Sequence, residues 1–141
     1  MSVYLDTSFL VSLYVTDAHS IDARHRILSA PSLWFTPLHE AEWTHTISQH
    51  VFRGQLSAVE AQRMHSKLNE HLQSGRWVPI PIPENAFDKC VDLARAHGSK
   101  IGMRTLDSLH VACALELKAE TFWTFDDRQA KLAKAEGLRT S

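Results

Sequence analysis

Four acidic residues lie in segments where an apolar core or the start of a helix is expected. One of them follows the run Val3-Tyr4-Leu5, and the others lie in apolar or helix-entry segments. An ionised carboxylate in a low-dielectric setting costs several kcal/mol unless a cation or hydrogen bonds compensate it. We therefore expect the acids to share a positive species, and a divalent metal is the simplest. The four acids are Asp6, Glu42, Asp107 and Asp126.

Carboxylate oxygens are hard ligands, and they favour Mg²⁺ or Mn²⁺ over zinc. Four carboxylates in one cleft repel each other, so either some of them stay protonated or a cation organises them all. Such a cation lowers the pKa of a bound water, neutralises a scissile phosphate and steadies the leaving oxygen. The acids therefore favour phosphodiester hydrolysis without a covalent protein nucleophile.

Short β-type runs alternate with helical patterns along the chain. Two prolines interrupt the third run, which is therefore expected at an edge or irregular position. The helix before the third acid is predicted to end at His97-Gly98, and Thr105 is predicted to cap the next one. This alternation predicts an α/β sandwich with a mostly parallel sheet. The predicted strands cover 2–5, 33–36, 77–82 and 121–125.

The predicted elements would bring the four acids to one rim of the sheet. Asp6 and Asp126 come at the carboxyl ends of strands, whereas Glu42 and Asp107 lie in the first turns of helices. In open α/β sheets the binding crevice lies beyond the carboxyl ends of the strands. Helices in a right-handed α/β topology start at that same rim, so sequence distance is no obstacle to a shared site.

Length and composition describe one ordinary domain over residues 1–141, with 44% hydrophobic residues to build its core. The net charge of −1 at pH 7 neither supports nor excludes an RNA partner. Cys90 and Cys113 have no CxxC spacing, which indicates buried thiols in a reducing compartment. No signal peptide or membrane-spanning run is evident. The expected location is the cytoplasm, with no membrane association.

Four motifs, in this order, carry a resemblance that covers essentially the whole chain. They are Tyr4-Leu5-Asp6-Thr7-Ser8, Thr36-Pro37-Leu38-His39-Glu40-Ala41-Glu42, Gly102-Met103-Arg104-Thr105-Leu106-Asp107-Ser108-Leu109-His110-Val111-Ala112 and Thr124-Phe125-Asp126-Asp127-Arg128-Gln129. With them the chain resembles PIN-domain proteins, and more closely the VapC-type ribonuclease toxins of bacterial type II toxin-antitoxin modules. The resemblance implies a single PIN-like α/β/α sandwich.

The resemblance also implies an activity and its partners. The activity is that of a Mg²⁺- or Mn²⁺-dependent endoribonuclease toxin that hydrolyses RNA phosphodiester bonds. Asp6 and Asp107 would be the surest metal ligands, and Glu42 and Asp126 would complete the acidic quartet. The implied partners are RNA as substrate, a cognate antitoxin protein and a second copy of the chain in a homodimer.

Several neighbouring residues remain as alternatives or as secondary candidates. Glu40 lies two positions before Glu42 and Asp127 directly follows Asp126, so either neighbour is an alternative ligand. Thr7 and Thr124 are most simply caps or turn formers, although a hydroxyl beside a ligating carboxylate also orients water or substrate. Arg104 either clamps a phosphate, which is the preferred role, or pairs with one of the acids.

Each acid also has an ordinary structural interpretation. Asp6 and Asp107 suit the positive end of a helix, an effect of roughly 0.3 to 1 kcal/mol, and Asp126 suits an N-cap. Glu42 suits a solvent-facing helix position. His110 is expected as a hydrogen-bonded core histidine. The alternative to an enzyme is accordingly a non-catalytic PIN-like module that binds RNA or an antitoxin.

Overall fold

Short strands and longer helices alternate along residues 1–140, the part of the chain that the computed structural model describes. The predicted domain over 1–141 ends at Ser141, which lies outside the described residues. In chain order the elements are β1 (Val3–Leu5), α1 (Thr7–Ser12), α2 (Ser20–Ile27), β2 (Leu33–Phe35), α3 (Pro37–Phe52), α4 (Ala58–Gln73), β3 (Trp77–Pro79), α5 (Ala86–Ile101), α6 (Thr105–Glu116), β4 (Thr121–Trp123) and α7 (Asp127–Ala135).

The strands are parallel, as the sequence predicted. β1 pairs with β4, so that Val3 lies opposite Thr121, and β2 pairs with β3, so that Leu33 lies opposite Trp77. β1 also lies beside β2, although backbone hydrogen bonds divide the strands into two pairs. The strand β3, which ends at Pro79, pairs only with β2 among the described residues, in the edge position that this proline indicates.

A buried histidine side chain joins the two pairs of strands. The Thr36 N–H, just after β2, donates to His39 Nδ1 at 3.0 Å, and His39 Nε2 lies 2.8 Å from the Leu5 carbonyl at the end of β1. Because Nδ1 accepts a backbone proton, Nε2 carries the ring proton and donates it to Leu5. Burial, followed by the neighbouring His110, lowers the pKa of His39 to about 3, so the ring is neutral at pH 7.

Two hydrophobic cores lie on opposite faces of the strands. Side chains alternate along β1, so Val3 and Leu5 enter one core while Tyr4 enters the other. Helices α1 to α4 cover the first core, in which Trp43 is completely buried. Helices α5 to α7 cover the second, in which Phe122 stacks on Tyr4 with ring centroids 5.6 Å apart. The predicted α/β/α sandwich is confirmed.

Two predicted helix ends are wrong, and both errors affect the approach to Asp107. α5 continues through Gly98 to Ile101 and ends at Gly102, whose φ of 71° is the left-handed conformation that favours glycine. The predicted end at His97-Gly98 therefore came four residues too early. At the start of α6 the N-cap is Arg104 rather than Thr105, and no side chain caps it.

The longest helices of residues 1–140 are α3, α4 and α5, each of 16 residues. Across that described range, no helix combines the length and the hydropathy that crossing a lipid bilayer requires.

Candidate functional site

All four predicted acids line one cleft at the carboxyl ends of β1 and β4. Asp6 directly follows the end of β1, and Asp126 comes three residues after the end of β4, its parallel neighbour. Glu42 enters the cleft from the second turn of α3, and Asp107 enters it from the first turn of α6. The cleft has a volume of about 460 Å³, which is within the usual range for small-ligand sites.

Asp6 is buried, with 5% of its surface exposed, and it caps α1. Its Oδ1 accepts the Phe9 N–H at 2.9 Å, whereas Oδ2 accepts the Ser8 hydroxyl at 2.6 Å and lies 3.1 Å from Thr124 Oγ1. Burial raises the pKa of Asp6, and these hydrogen bonds offset only part of that effect. A buried acid that is under-compensated in this way would gain from a nearby cation.

Asp126 caps α7 and is held by a buried glutamine. Its Oδ1 accepts the Gln129 N–H at 2.9 Å, and its own N–H donates to Thr124 Oγ1 at 3.0 Å. The Gln129 side chain lies 2.8 Å from that same Thr124 hydroxyl and donates through Nε2 to the Asp107 carbonyl at 3.1 Å. Gln129 thereby links the start of α7, which carries Asp126, to the start of α6, which carries Asp107.

Glu42 is partly buried and points to a buried histidine. Its Oε1 accepts the Thr7 hydroxyl at 2.8 Å and also contacts His110 Nε2 in a short hydrogen bond. Burial alone would raise the pKa of Glu42, but the hydrogen bonds from His110 and Thr7 outweigh it and lower the pKa. Glu42 is therefore favoured in its ionised form, with both of its hydrogen bonds on Oε1.

Asp107 forms an ion pair with Arg104. Its Oδ2 lies 3.2 Å from Arg104 Nε, across one turn at the start of α6. The Arg104 side chain is 83% exposed, so solvent screens the ion pair and the pair contributes little stability. Of the two roles predicted for Arg104, pairing with an acid is the one that the structure contains.

The two alternative acids lie in different surroundings from the residues that they would replace. Glu40 is exposed and lines a separate groove with Pro37 and Pro79, away from the other acids. Asp127 is exposed in the first turn of α7, beside Asp126, and lines an adjoining pocket that Asp107 and Asp126 also line, but it does not line the main cleft. Geometry thus favours Glu42 over Glu40 clearly, and Asp126 over Asp127 because Asp126 faces the main cleft.

Comparison with known protein families shows the family of the chain. The PIN domain family model matches residues 3–135, which is nearly the whole chain. The chain belongs to the PIN domain family. Comparison with curated proteins gives no significant match.

Solved structures share the fold of this PIN domain at low sequence identity. Mycobacterium tuberculosis VapC20, a sarcin-ricin loop cleaving toxin, has a TM-score of 0.72 at 15% identity, with 99% of this chain and 98% of that chain covered. FitAcB from Neisseria gonorrhoeae has a TM-score of 0.73 at 15% identity, with 99% and 96% covered. A toxin-antitoxin complex from Klebsiella pneumoniae has a TM-score of 0.65 at 16% identity, with 99% and 97% covered.

The donor set of this PIN domain fits a hard divalent cation. Four carboxylates supply only oxygen ligands to the cleft, as Mg²⁺ and Mn²⁺ prefer. Within residues 1–140, however, no three acidic, histidine or cysteine side chains already converge on one point. Glu42 is held by His110 through Oε1 alone, whereas Asp107 is paired with Arg104. The residues fit the ion by chemistry and location, and ligation by Asp107 requires its side chain to turn away from Arg104.

Three residues that organise the PIN-domain cleft were not predicted in that role. His110 was expected as a hydrogen-bonded core histidine, which it is, but its contact with Glu42 was not predicted. Gln129 and Ser8 each hold an acid, and neither of these contacts was predicted. The available signal was positional, because Gln129 lies three residues after Asp126 and Ser8 two after Asp6, the usual spacing of capping contacts.

Proposed function

We propose that this PIN domain is a metal-dependent endoribonuclease that hydrolyses RNA phosphodiester bonds. The observation that carries the proposal is the meeting of four carboxylates, delivered by four separate elements, in a single cleft. One of them, Asp6, is buried with incomplete compensation. Structural caps alone would not require acids from distant parts of the chain to share one cleft.

The residues that would hold Mg²⁺ or Mn²⁺ are Asp6, Glu42, Asp107 and Asp126. When bound, the ion supplies activation of water and neutralisation of phosphate charge. Capping uses only Oδ1 of Asp126, and the contacts of Glu42 end on Oε1, so each keeps a second oxygen to which no residue within 1–140 donates. Capping and ligation are thus compatible within one carboxylate.

The secondary candidates predicted from the sequence would have supporting roles in and beside the cleft. Arg104 is exposed at its rim, where its guanidinium is free to leave Asp107 for a phosphate. The Thr7 hydroxyl, in the cleft, donates to Glu42, and the buried Thr124 hydroxyl contacts the Asp6 carboxylate and accepts the Asp126 N–H. Asp127, exposed beside Asp126, would add negative charge to the site rather than a ligand.

We further propose that the enzyme is a VapC-type toxin, neutralised by a cognate antitoxin. Support comes from the shared fold with VapC20 and with the Klebsiella toxin-antitoxin complex. An antitoxin that inserts an Arg or Lys among the acids would neutralise them and exclude the metal. Homodimerisation and a cytoplasmic location belong to the same proposal, and the buried free thiols Cys90 and Cys113 suit a reducing compartment.

Two glutamates on one helix provide the test. Purified protein is incubated with a mixed cellular RNA pool and Mg²⁺ or Mn²⁺, and Glu42→Gln is compared with Glu40→Gln. Both variants remove one carboxylate from α3, but only Glu42 lines the acidic cleft. We expect discrete fragments from wild type and Glu40→Gln and none from Glu42→Gln. Equal cleavage by all three proteins would contradict the assignment of the cleft.

The second candidate is a non-catalytic module that binds RNA or an antitoxin. The ion pair between Arg104 and Asp107 favours it, because a paired acid is not free to ligate. This candidate predicts that the folded protein neither binds Mn²⁺ nor cleaves any RNA in the pool. Metal-dependent fragments that disappear in Glu42→Gln would exclude it.

A further inference from the structure

A chain of buried groups holds Glu42 from behind. The Tyr4 hydroxyl lies 2.8 Å from His110 Nδ1, and His110 Nε2 contacts Glu42 Oε1. The Thr7 hydroxyl, 3.0 Å from the same Nε2, donates to the same carboxylate oxygen. Tyr4, Thr7 and His110 are all buried, so solvent does not compete for these contacts.

The chemistry of the partners determines the direction of each hydrogen bond. An ionised carboxylate only accepts, so His110 Nε2 must carry a proton and donate it to Glu42. In the neutral ring Nδ1 is then an acceptor, and the Tyr4 hydroxyl donates to it at 2.8 Å. Tyr4 thereby selects the ring tautomer that donates to Glu42.

Both bonds to the carboxylate end on one oxygen. Thr7 and His110 each donate to Oε1, and no group within residues 1–140 donates to Oε2. A glutamate on an open helix face would otherwise sample many rotamers. The network therefore fixes the side chain in one orientation and leaves a defined oxygen for a ligand in the cleft.

We propose that His110, with Tyr4 behind it, is a positioning residue for Glu42. Its Nε2–H holds Oε1 so that Oε2 is the oxygen presented to a divalent cation. The inference rests on the proposed function, because it takes Glu42 as one of the metal-holding acids. Hydrogen-bond partners of this kind orient ligating groups, and their loss costs about 10- to 100-fold in metal affinity.

A second tyrosine–histidine pair in the same chain provides a matched control. The Tyr14 hydroxyl lies 2.6 Å from His71 Nδ1, so its removal deletes the same type of hydrogen bond. Tyr14 packs with the core under α4, and it does not line the acidic cleft. Tyr14→Phe removes a partly buried hydroxyl that also accepts from Trp77 Nε1 at 2.6 Å, and it therefore reports the cost of losing such a hydroxyl without any effect on Glu42.

The experiment measures Mn²⁺ affinity by electron paramagnetic resonance titration, with folding checked by circular dichroism. For His110→Leu we expect Mn²⁺ binding weakened by about 10- to 100-fold. His110→Gln should stay within about threefold of wild type, because its amide N–H takes the place of Nε2–H. Tyr4→Phe should bind several-fold more weakly, and Tyr14→Phe should bind as wild type does. If His110→Leu does not fold, the Tyr4→Phe and Tyr14→Phe pair decides the question.

The outcomes separate this inference from the function on which it rests. Unchanged Mn²⁺ affinity in folded His110→Leu or in Tyr4→Phe would overturn the positioning role while leaving the metal site intact. Equal losses in Tyr4→Phe and Tyr14→Phe would also overturn it, because the effect would then follow stability alone. A wild-type protein that binds no Mn²⁺ would overturn the proposed function, and the inference with it.

Discussion

Replacement of Asp6 by Asn should make the folded protein more stable while it removes a metal ligand. Burial raises the pKa of Asp6, so at neutral pH the ionised side chain is less stable in the folded chain than in the unfolded chain. Asn is as good an N-cap as Asp, and its carbonyl oxygen keeps the bond from the Phe9 N–H. Its amide N–H groups would face the Ser8 and Thr124 hydroxyls, which are able to accept them.

The expected gain is a small difference between larger opposing contributions. Desolvation of the carboxylate costs several kcal/mol, while each hydrogen bond to a charged group returns about 1.5 to 3 kcal/mol. Asn avoids the desolvation cost of the carboxylate and keeps the hydrogen bonds in weaker, uncharged form. We expect a net gain of about 1 kcal/mol at pH 7, the usual size for relief of a functional site. For a chain of this length that is a rise in Tm of about 3 °C.

The pH dependence of the gain has a definite sign. A raised pKa in the folded state means that wild type loses stability as the pH rises from the ordinary pKa of an aspartate, about 4, through the raised value. Below that window Asp6 is protonated in both states and has no ionisation penalty. The advantage of Asp6→Asn should therefore be largest at neutral pH and should shrink as the pH falls.

The assay is urea unfolding of wild type, Asp6→Asn and Asp92→Asn in chelator, repeated with saturating Mn²⁺. Asp92 is an exposed acid on α5, so its variant makes the same charge change without relief of burial and should stay within about 0.5 kcal/mol of wild type. Added Mn²⁺ should stabilise wild type and leave Asp6→Asn unchanged. An Asp6→Asn protein that is less stable than wild type in chelator at pH 7 would refute the reasoning.

Three further predictions concern the fold and the rim of the cleft. The pKa of His39 falls to about 3 on folding, so wild type should lose stability as the pH falls from 6.5 toward 3, at up to roughly 1 kcal/mol per pH unit. Urea unfolding at a series of pH values should show a flatter slope for His39→Gln. A parallel pH dependence in both proteins would contradict a neutral His39 ring between the two strand pairs. Arg104→Ala should change the free energy of unfolding by less than about 1 kcal/mol. Calorimetry should show higher Mn²⁺ affinity, because Asp107 is freed, and a cleavage time course should show slower RNA cleavage. Lower Mn²⁺ affinity would contradict the idea that Arg104 competes with the metal for Asp107. Phe9→Ala, which empties a fully buried site in the first core, should cost about 3 to 5 kcal/mol in urea unfolding, and a loss below 1 kcal/mol would mean that the core repacks.

The α/β/α layering was predictable because it depends on alternation, which the sequence displays directly. Helix ends were less predictable where two glycines compete. Gly98 lies inside α5, whereas Gly102 ends it, and only the backbone angle distinguishes the two. The link between strand pairs was not predictable either, since His39 makes it through a side chain rather than through a backbone ladder.

The four acids of the site were predictable because each lies at the end of a strand or in the first two turns of a helix, where parallel topology sends them to one rim. Their partners were not, since contacts such as His110 with Glu42 join residues 68 positions apart. The same holds for Arg104, whose predicted choice between a phosphate and an acid depends on a side-chain rotamer that no spacing encodes.

The most direct test of the central claim is cleavage of a mixed cellular RNA pool by wild type and by Asp107→Asn, each with Mg²⁺, with Mn²⁺ and with chelator. Asp107 is only partly buried and its side chain makes only the exposed contact with Arg104 among residues 1–140, so the substitution should leave the fold intact. We expect discrete fragments from wild type with either metal, and none from Asp107→Asn or in chelator. Fragments that persist in chelator, or that Asp107→Asn still produces at the wild-type rate, would contradict a metal-dependent nuclease in this cleft.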